Sequence, residues 1–359
     1  MSNRLLIVDD SALMRRQLSQ LFEAEGDFEV RLARNGREAV EENAAFQPDV
    51  VTLDINMPEM DGLSALSEIM TARPVPVVMV SSLTEKGALA TFEALALGAV
   101  DYVAKPGGTI SLAIDDVKDE LITKVRAAMR ARPRGAARAN ARSTRLRIAA
   151  DREAIALKPV ASADLAGAPD QVVLVGVSTG GPGALERILP LLPATYPFPV
   201  VVAQHMPASF TGPFAQRMDR MCALNVVEVT RPMPVSQGTV YIARGGADIV
   251  LTERAGRLTA VPKPESSQYL WHPSVELLGR SALECCTASS LIGVMLTGMG
   301  HDGADAFAEI RRQGGRTIAE AEDTAVVFGM PKELIQRQGA SLVLPCEKIA
   351  SQLVGWSRP

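Results

Sequence analysis

Short, almost uninterrupted apolar runs recur along the 359-residue chain, each followed by a segment with helical spacing of apolar residues. Strands that are apolar throughout are typical of a parallel sheet covered on both faces. In the first part of the chain they lie at Leu5–Val8, Val30–Ala33, Val50–Leu53, Val77–Val80 and Tyr102–Ala104. Helical segments lie around Met14–Phe22, Glu38–Ala45, Leu63–Met70 and Leu89–Ala96. This alternation predicts a flavodoxin-like, doubly wound α/β sheet.

The same alternation resumes after Pro169. Its apolar runs are Val172–Val177, Val200–Ala203, Val226–Val229, Val240–Ala243 and Leu291–Leu296. They predict a second, larger domain of the Rossmann-like, three-layer α/β type. The expected fold class is therefore α/β with two doubly wound parallel-sheet domains, at residues 1–122 and 169–359.

A basic segment separates the two predicted domains. Between Leu121 and Ala150 there is no acidic residue, and arginine recurs among Ala, Pro, Gly and Ser. We interpret it as the end of a helix followed by a flexible linker, with the linker at 123–168. Because no aromatic residues interleave the arginines, and the net charge is −4, we expect no nucleic-acid binding.

The spacing of the cysteines and the hydropathy of the chain indicate the cellular compartment of the protein. The four cysteines show no C-x-x-C spacing and two of them are vicinal, so neither a zinc site nor a disulfide framework is indicated. The apolar run at the N-terminus is too short for a signal peptide, and no later segment holds eighteen uncharged apolar residues. We expect a cytoplasmic protein without direct membrane insertion. The cysteines are Cys222, Cys285, Cys286 and Cys346.

Polar residues come directly after the apolar runs of the first domain, at the ends where ligands bind in open parallel sheets. They are Asp9 and Asp10 after the first run, Asp54 after the third, Ser81 and Ser82 after the fourth, and Lys105 after the fifth. Three carboxylates in one pocket repel each other unless a hard cation lies between them, so we predict Mg²⁺ bound by the three aspartates. Asp54 is the expected phosphoryl acceptor, with Lys105 and Ser81 contacting the phosphoryl oxygens.

This pattern resembles the receiver domain of two-component response regulators. The matching motifs are Val-Asp-Asp at 8–10, Leu-Asp-Ile-Asn-Met-Pro-Glu-Met-Asp-Gly at 53–62, Val-Ser-Ser at 80–82 and Ala-Lys-Pro at 104–106. The resemblance implies that Tyr102 is the switch aromatic that senses phosphorylation. It also implies a cis bond between Lys105 and Pro106 and a histidine kinase as phosphodonor.

In the second domain, strand ends select a serine, a histidine and an aspartate. Ser178 lies in Gly-Val-Ser-Thr-Gly, which predicts a strand-to-helix elbow. His205 comes after the next run, and Asp302 after the run that begins at Leu291. These residue types form a hydrolytic triad, although the serine motif alone occurs in many tight turns.

The chain has three histidines, so the choice of base is limited. His272 precedes Pro273 at a helix entry, where we expect a capping or packing role. His301 could act as base with Asp248 as its acid, in the order of the α/β-hydrolases. A pair made of His301 and its neighbour Asp302 would be poorly oriented. We favour Ser178, His205 and Asp302.

From Val172 to about Leu353 the sequence resembles the catalytic domain of the CheB family, the chemotaxis protein-glutamate methylesterases. The matching motifs are Gly-Val-Ser-Thr-Gly-Gly-Pro, Gln-His-Met-Pro, His-Pro-Ser-Val-Glu-Leu-Leu and Leu-Thr-Gly-Met-Gly-His-Asp-Gly. The resemblance implies that Ser178 is the nucleophile, His205 the base and Asp302 its orienting acid. Two departures concern receptor contacts: residues 243–248 lack the family's usual proline and histidine, and His272 stands where an arginine is common.

These observations predict a phosphorylation-gated serine hydrolase. It would demethylate glutamate γ-methyl esters of membrane chemoreceptors and deamidate receptor glutamines, with backbone N–H groups of Thr179 and Met299 as oxyanion candidates and no cofactor in the catalytic domain. Two alternatives remain at this point. One is an adaptor that has lost catalysis, and the other is an esterase for small molecules.

Overall fold

A computed structural model describes residues 2–82, 84–105, 110–131 and 170–357, without the side chains of residues 82, 85 and 110–116. The chain divides into two compact units. Residues 132–169, which include most of the predicted linker, lie outside the described residues. Pro106, and with it the predicted cis bond, also lies outside them.

The first unit is a five-stranded parallel sheet in the order β2-β1-β3-β4-β5. The strands are β1 (Asn3–Val8), β2 (Phe28–Ala33), β3 (Val50–Asp54), β4 (Val77–Ser82) and β5 (Asp101–Lys105). The helices are α1 (Ala12–Ala24), α2 (Gly36–Phe46), α3 (Gly62–Ala72), α4 (Glu85–Leu97) and α5 (Ile110–Arg130). The predicted doubly wound parallel sheet is confirmed.

The last helix of this unit is longer than the sequence boundary at residue 122 implied. α5 continues to Arg130, so residues 123–130, assigned to the linker, are helical. Val125 and Ala128 on this stretch are fully buried. Arg126 pairs with Asp27 at 2.6 Å and with Glu25 at 3.0 Å. The basic segment that was assigned to the linker therefore begins with about two turns of helix that have an apolar face.

The second unit is built on a seven-stranded parallel sheet in the order β15-β14-β13-β6-β7-β10-β8. Its strands are β6 (Val172–Val177), β7 (Val200–Gln204), β8 (Asn225–Val229), β10 (Thr239–Ala243), β13 (Leu291–Met295), β14 (Arg316–Glu320) and β15 (Leu342–Leu344). The helices are α6 (Gly181–Ile188), α7 (Ala208–Met221), α8 (Val275–Cys285), α9 (Ala304–Arg312), α10 (Met330–Gln336) and α11 (Cys346–Trp356). β6 has β7 on one side and β13 on the other, so a crevice opens at their carboxyl ends.

A small antiparallel sheet in the order β11-β12-β9 was not predicted. Its strands are β9 (Met233–Pro234), β11 (Asp248–Arg254) and β12 (Arg257–Lys263). β11 and β12 form a hairpin whose two turn residues, Ala255 and Gly256, have φ of 49° and 71°. This geometry matches the strand twist, but the turn lacks the Asn-Gly or Asp-Gly pair that reveals such hairpins in a sequence.

Across the described ranges, no helix is both long and apolar enough for a membrane span.

Candidate active site and candidate phosphorylation site

Ser178 lies in the turn between β6 and α6. Its N–H donates to the carbonyl of Thr297 at 3.0 Å, and its own carbonyl accepts from the N–H of Gly181 at 2.8 Å. Gly180 has φ of 77°, a left-handed conformation that glycine adopts without steric cost. α6 begins at the next residue, with Pro182 in its first turn. The strand-to-helix elbow holds the half-buried serine at the edge of the sheet.

His205 comes after the neighbouring strand and is tied to the same turn. Its N–H donates to the carbonyl of Val177 at 3.1 Å. The side-chain amide of Gln204 donates to the carbonyls of Ser178 at 3.0 Å and of His205 at 2.9 Å. A Cβ at Gly181 would lie 1.9 Å from Gln204 Oε1, so a larger residue there would displace this amide. The backbones of the serine and the histidine are therefore fixed relative to each other.

Asp302 completes the cluster from the loop after β13. Its Oδ2 lies 2.8 Å from His205 Nε2. The same carboxylate accepts hydrogen bonds from Ser274 Oγ at 3.0 Å and from the N–H groups of Val275 at 2.7 Å and Glu276 at 3.0 Å. Ser274 is the N-cap of α8, so the free N–H groups at the start of this helix hold the acid. The structure thus brings the three predicted side chains to adjacent strand ends.

The environment of Asp302 keeps it ionised. Burial alone would raise its pKa, but the hydrogen bond from His205 and those from the N–H groups of Val275 and Glu276 outweigh burial, and the pKa is lowered below 3.8. Because His205 Nε2 faces Asp302, Nδ1 is the ring nitrogen left for the serine. Nδ1 is buried and has no hydrogen-bond partner among the described residues. Ser178 Oγ therefore makes no hydrogen bond with Nδ1 in this structure, and contacts of this kind often shorten only when substrate binds.

The oxyanion candidates Thr179 and Met299 lie on two segments that touch at the serine. Thr297 Oγ1 donates to the carbonyl of Thr179 at 2.9 Å. A Cβ at Gly298 would lie 2.8 Å from Ser178 Cβ, so only glycine lets this loop approach so closely. Within the described ranges, the backbone N–H groups of residues 179 and 299 donate to no protein acceptor. An oxyanion role requires N–H groups without a protein acceptor, and among the described residues these two meet that condition.

The alternative pair of His301 and Asp248 does not form. Asp248 Oδ1 lies 2.9 Å from His272 Nδ1 and accepts the N–H of Ser274 at 2.8 Å. Its Oδ2 accepts the N–H of Ser266 at 2.9 Å. His301 instead meets the edge of Trp271, with ring centroids 5.3 Å apart. His272 is hydrogen-bonded to Asp248, and the residue that caps the following helix is Ser274.

Trp271 was missed by the sequence reasoning. Its ring is parallel to the His205 imidazole, with an interplanar angle of 7° and centroids 6.0 Å apart. Gly300, with φ of 83°, has no side chain to obstruct the indole, since a Cβ there would lie 2.8 Å from Trp271 Cζ2. The one available indication was its place beside the His-Pro-Ser motif, in a chain with only two tryptophans.

At the carboxyl edge of the first sheet, Asp9, Asp10 and Asp54 each place a carboxylate oxygen within 4.8 Å of the others. Lys105 Nζ lies 2.8 Å from both Asp9 and Asp54. Burial raises the pKa of Asp54, and repulsion from Asp9 adds to this against the opposing effect of Lys105. A hard oxygen donor set of this density fits Mg²⁺.

The two remaining predicted residues of this edge are buried. Ser81 is 1% exposed and its Oγ donates to the carbonyl of Gly87 at 3.3 Å. Tyr102 is 3% exposed, so its ring is turned inward. Lys124 Nζ lies 5.0 Å from the centre of that ring and donates to the Tyr102 carbonyl at 2.7 Å.

Comparison with known proteins adds independent findings. Residues 173–353 match the CheB methylesterase family, and residues 5–114 match the response regulator receiver domain. A protein-glutamate methylesterase/protein-glutamine glutaminase of Rhodospirillum rubrum is 55% identical, over 98% of this chain and 96% of its own. One of Rhodopseudomonas palustris is 52% identical, over 98% of both. The crystal structure of the Thermotoga maritima CheB methylesterase catalytic domain covers 52% of this chain and 98% of its own, with 39% identity and a TM-score of 0.50.

Proposed function

Because the chain belongs to the CheB methylesterase family, we propose that it hydrolyses glutamate γ-methyl esters on chemoreceptors under the control of its receiver domain. As a family member it is a carboxylic ester hydrolase. The observation that carries the proposal is the cluster of Ser178, His205 and Asp302 at adjacent strand ends, with Asp302 anchored on the first turn of α8.

In the proposed reaction, His205 Nδ1 takes the proton of Ser178 as Oγ attacks the γ-carbonyl carbon of the ester. The proton then passes to the methoxy oxygen, methanol leaves, and an acyl-serine remains. A water molecule deprotonated by His205 attacks this acyl group, and the proton passes from His205 to Ser178 Oγ as the bond to the serine breaks and the glutamate is released. Throughout, Asp302 fixes the orientation of the ring and stabilises its protonated form.

A negative charge develops on the carbonyl oxygen of the substrate during this attack. We assign its stabilisation to hydrogen bonds from the backbone N–H groups of Thr179 and Met299. Within the described residues neither N–H group donates to a protein acceptor, which supports this role because such a donor has no bond to give up when the charge appears. Trp271 lies beside the imidazole with its ring parallel to it.

The assignment is tested with methylated receptor membranes that carry labelled methyl groups. We expect the full chain to release labelled methanol and Ser178→Ala to release none above background, because the variant lacks the attacking oxygen. Ser290→Ala, at a serine after α8 whose Oγ donates to the Thr287 carbonyl, is the matched control and should retain activity. Methanol release by Ser178→Ala would contradict the assignment. Cleavage of small esters with no release from receptors would favour a small-molecule esterase, and no ester cleavage at all would favour an adaptor.

Glutamine deamidation is a second activity that we propose for the same site. The Rhodospirillum and Rhodopseudomonas relatives are named for both reactions. An amide passes through the same tetrahedral intermediate, with ammonia in place of methanol as the leaving group. Ammonia release from receptor glutamines should therefore be lost in the same Ser178→Ala variant.

For the first unit we propose that Asp54 accepts a phosphoryl group from a histidine kinase and that this raises the esterase rate. Asp9, Asp10 and Asp54 would hold Mg²⁺, which when bound supplies positive charge to the phosphoryl oxygens. Lys105 would then exchange its contact with Asp54 for the phosphoryl group, with Ser81 and Tyr102 responding to it. We place the protein in the cytoplasm, in agreement with four free thiols.

A further inference from the structure

Leu270 is 82% exposed, more than any other large apolar side chain of the described residues. It belongs to the segment Ser266–Pro273 between β12 and α8, which we call the strap. Single exposed leucines are ordinary on protein surfaces, so exposure alone indicates nothing. What distinguishes Leu270 is how the strap is held and what it lies against.

Both ends of the strap are fixed on one buried carboxylate. Asp248, 1% exposed, accepts the N–H of Ser266 at one end. At the other end it contacts His272 Nδ1 and accepts the N–H of Ser274. Within the strap, the N–H of Tyr269 donates to the carbonyl of Ser266 at 3.0 Å. These bonds fix the backbone at both ends of the strap, and the exposed Leu270 lies between them.

The strap runs along the rim of the candidate active site. Trp271, the next residue after Leu270, faces the imidazole of His205 and the ring of His301. Leu270 directly precedes Trp271, so its Cα lies about 3.8 Å from that of the tryptophan.

A protein substrate must pass close to this rim. The reacting carbonyl of a glutamyl ester is three bonds from its own Cα, or roughly 4 Å away, so the substrate backbone has to approach the surface around Ser178. Side chains beside the esterified glutamate then meet the surroundings of Trp271. Burying one leucine side chain changes an equilibrium constant by about one to two powers of ten.

We propose that Leu270 is a specificity residue that packs against an apolar side chain of the substrate protein next to the esterified glutamate. The strap thereby raises affinity for esters carried on a polypeptide with an apolar neighbour, over the same ester without one. This inference rests on the proposed methylesterase function and names the feature of the substrate that the site selects.

The experiment compares two substrates of the full chain that share the scissile bond. One is the methylated receptor membrane, and the other is N-acetylglutamate γ-methyl ester methylamide, which lacks neighbouring residues. We expect Leu270→Ser to raise KM for the receptor about tenfold or more with kcat close to the wild-type value. Its kcat/KM for the single-residue ester should be unchanged, and Leu270→Met should restore the receptor KM.

Leu191→Ser is the matched control. Leu191 is 62% exposed and lines a surface groove against α11, formed with Ala350 and Val354. It should leave the kinetics with both substrates unchanged.

The outcomes separate the inference from the function on which it rests. An unchanged receptor KM in Leu270→Ser overturns the inference, and so does an equal loss with both substrates, because that would mark damage to the triad. If the wild-type chain cleaves the single-residue ester but no receptor ester, the proposed function fails instead.

Discussion

Each candidate site lies at the carboxyl edge of the parallel sheet in its own unit, yet the two sites balance their buried charges in opposite ways. In the first unit, Asp9, Asp10 and Asp54 crowd together, and Lys105 pairs with Asp9 and Asp54. In the second unit, Asp302 is a single carboxylate that receives hydrogen bonds from Ser274, Val275 and Glu276 as well as His205.

The consequence is visible in the direction of the two pKa shifts. Burial and Asp9 raise the pKa of Asp54, whereas hydrogen bonds from His205 and from helix N–H groups overcome burial and lower that of Asp302. On the proposed function, the first site would be completed by an added cation and a phosphoryl group, whereas the acid of the second is stabilised by the protein itself. A site that depends on an added cation and phosphoryl group is suited to regulation. A site that is stabilised by the protein alone is suited to catalysis.

The strongest test of this contrast replaces Asp302, the acid that is stabilised by the protein's own hydrogen bonds. Asp302→Asn should lower kcat for ester cleavage by about ten-thousandfold, the size of effect known when the acid of a serine-protease triad becomes an amide. The amide fails because it no longer stabilises the protonated imidazole. Steady-state methanol release measures the change. Asp305→Asn, an exposed acid in the first turn of α9, should retain the wild-type rate, and a small effect of Asp302→Asn would refute a catalytic role for this carboxylate.

The second test removes the metal and the phosphoryl acceptor from the first site. A small-molecule phosphodonor with Mg²⁺ should raise the esterase rate of the wild-type chain, and chelating the metal should cancel the whole increase while the basal rate stays the same. Asp54→Asn should behave like the chelated wild type because it lacks the acceptor oxygen. An equal increase in Asp54→Asn would end the gating hypothesis, and a basal rate that fell with chelation would break the contrast between the sites.

The third and smallest effect tests a helix terminus in each unit. Ser274→Ala removes one donor to Asp302 and the N-cap of α8, so kcat should fall about fivefold and unfolding free energy by about 1 kcal/mol. Ser11→Ala removes the N-cap of α1 in the first unit and should cost a similar stability with no change in basal kcat. Thermal melts measure the change in unfolding free energy, and methanol release measures the change in kcat. If both variants had the same kcat, the helix N-terminus would not matter for the triad.

Apolar runs, and the residues directly after them, allowed much of the fold and of the site to be predicted from the sequence. All ten predicted strands exist, and Ser178 and His205 lie near each other because adjacent parallel strands end at the same edge. Asp302 was found by its residue type and distance from a strand end. Its agreement with the family pattern came from the resemblance, not from periodicity.

The contacts that hold the site together could not be predicted in this way. Asp302 depends on α8, and Asp248 binds residues 266, 272 and 274, which are 18 to 26 positions away along the chain. Such partners are chosen by tertiary packing, and no local periodicity encodes them. Strands β14 and β15 were not predicted either, and β15 is only three residues long.

The bond between Asp248 and His272 bears on how this enzyme could be redesigned. In the fold the two side chains contact each other at 2.9 Å. A change at either position therefore alters the surroundings of the other. A chimera that imports substrate preference from a relative has to transfer positions 248 and 272 together, because either alone would leave a charge or a ring nitrogen stranded beneath the strap.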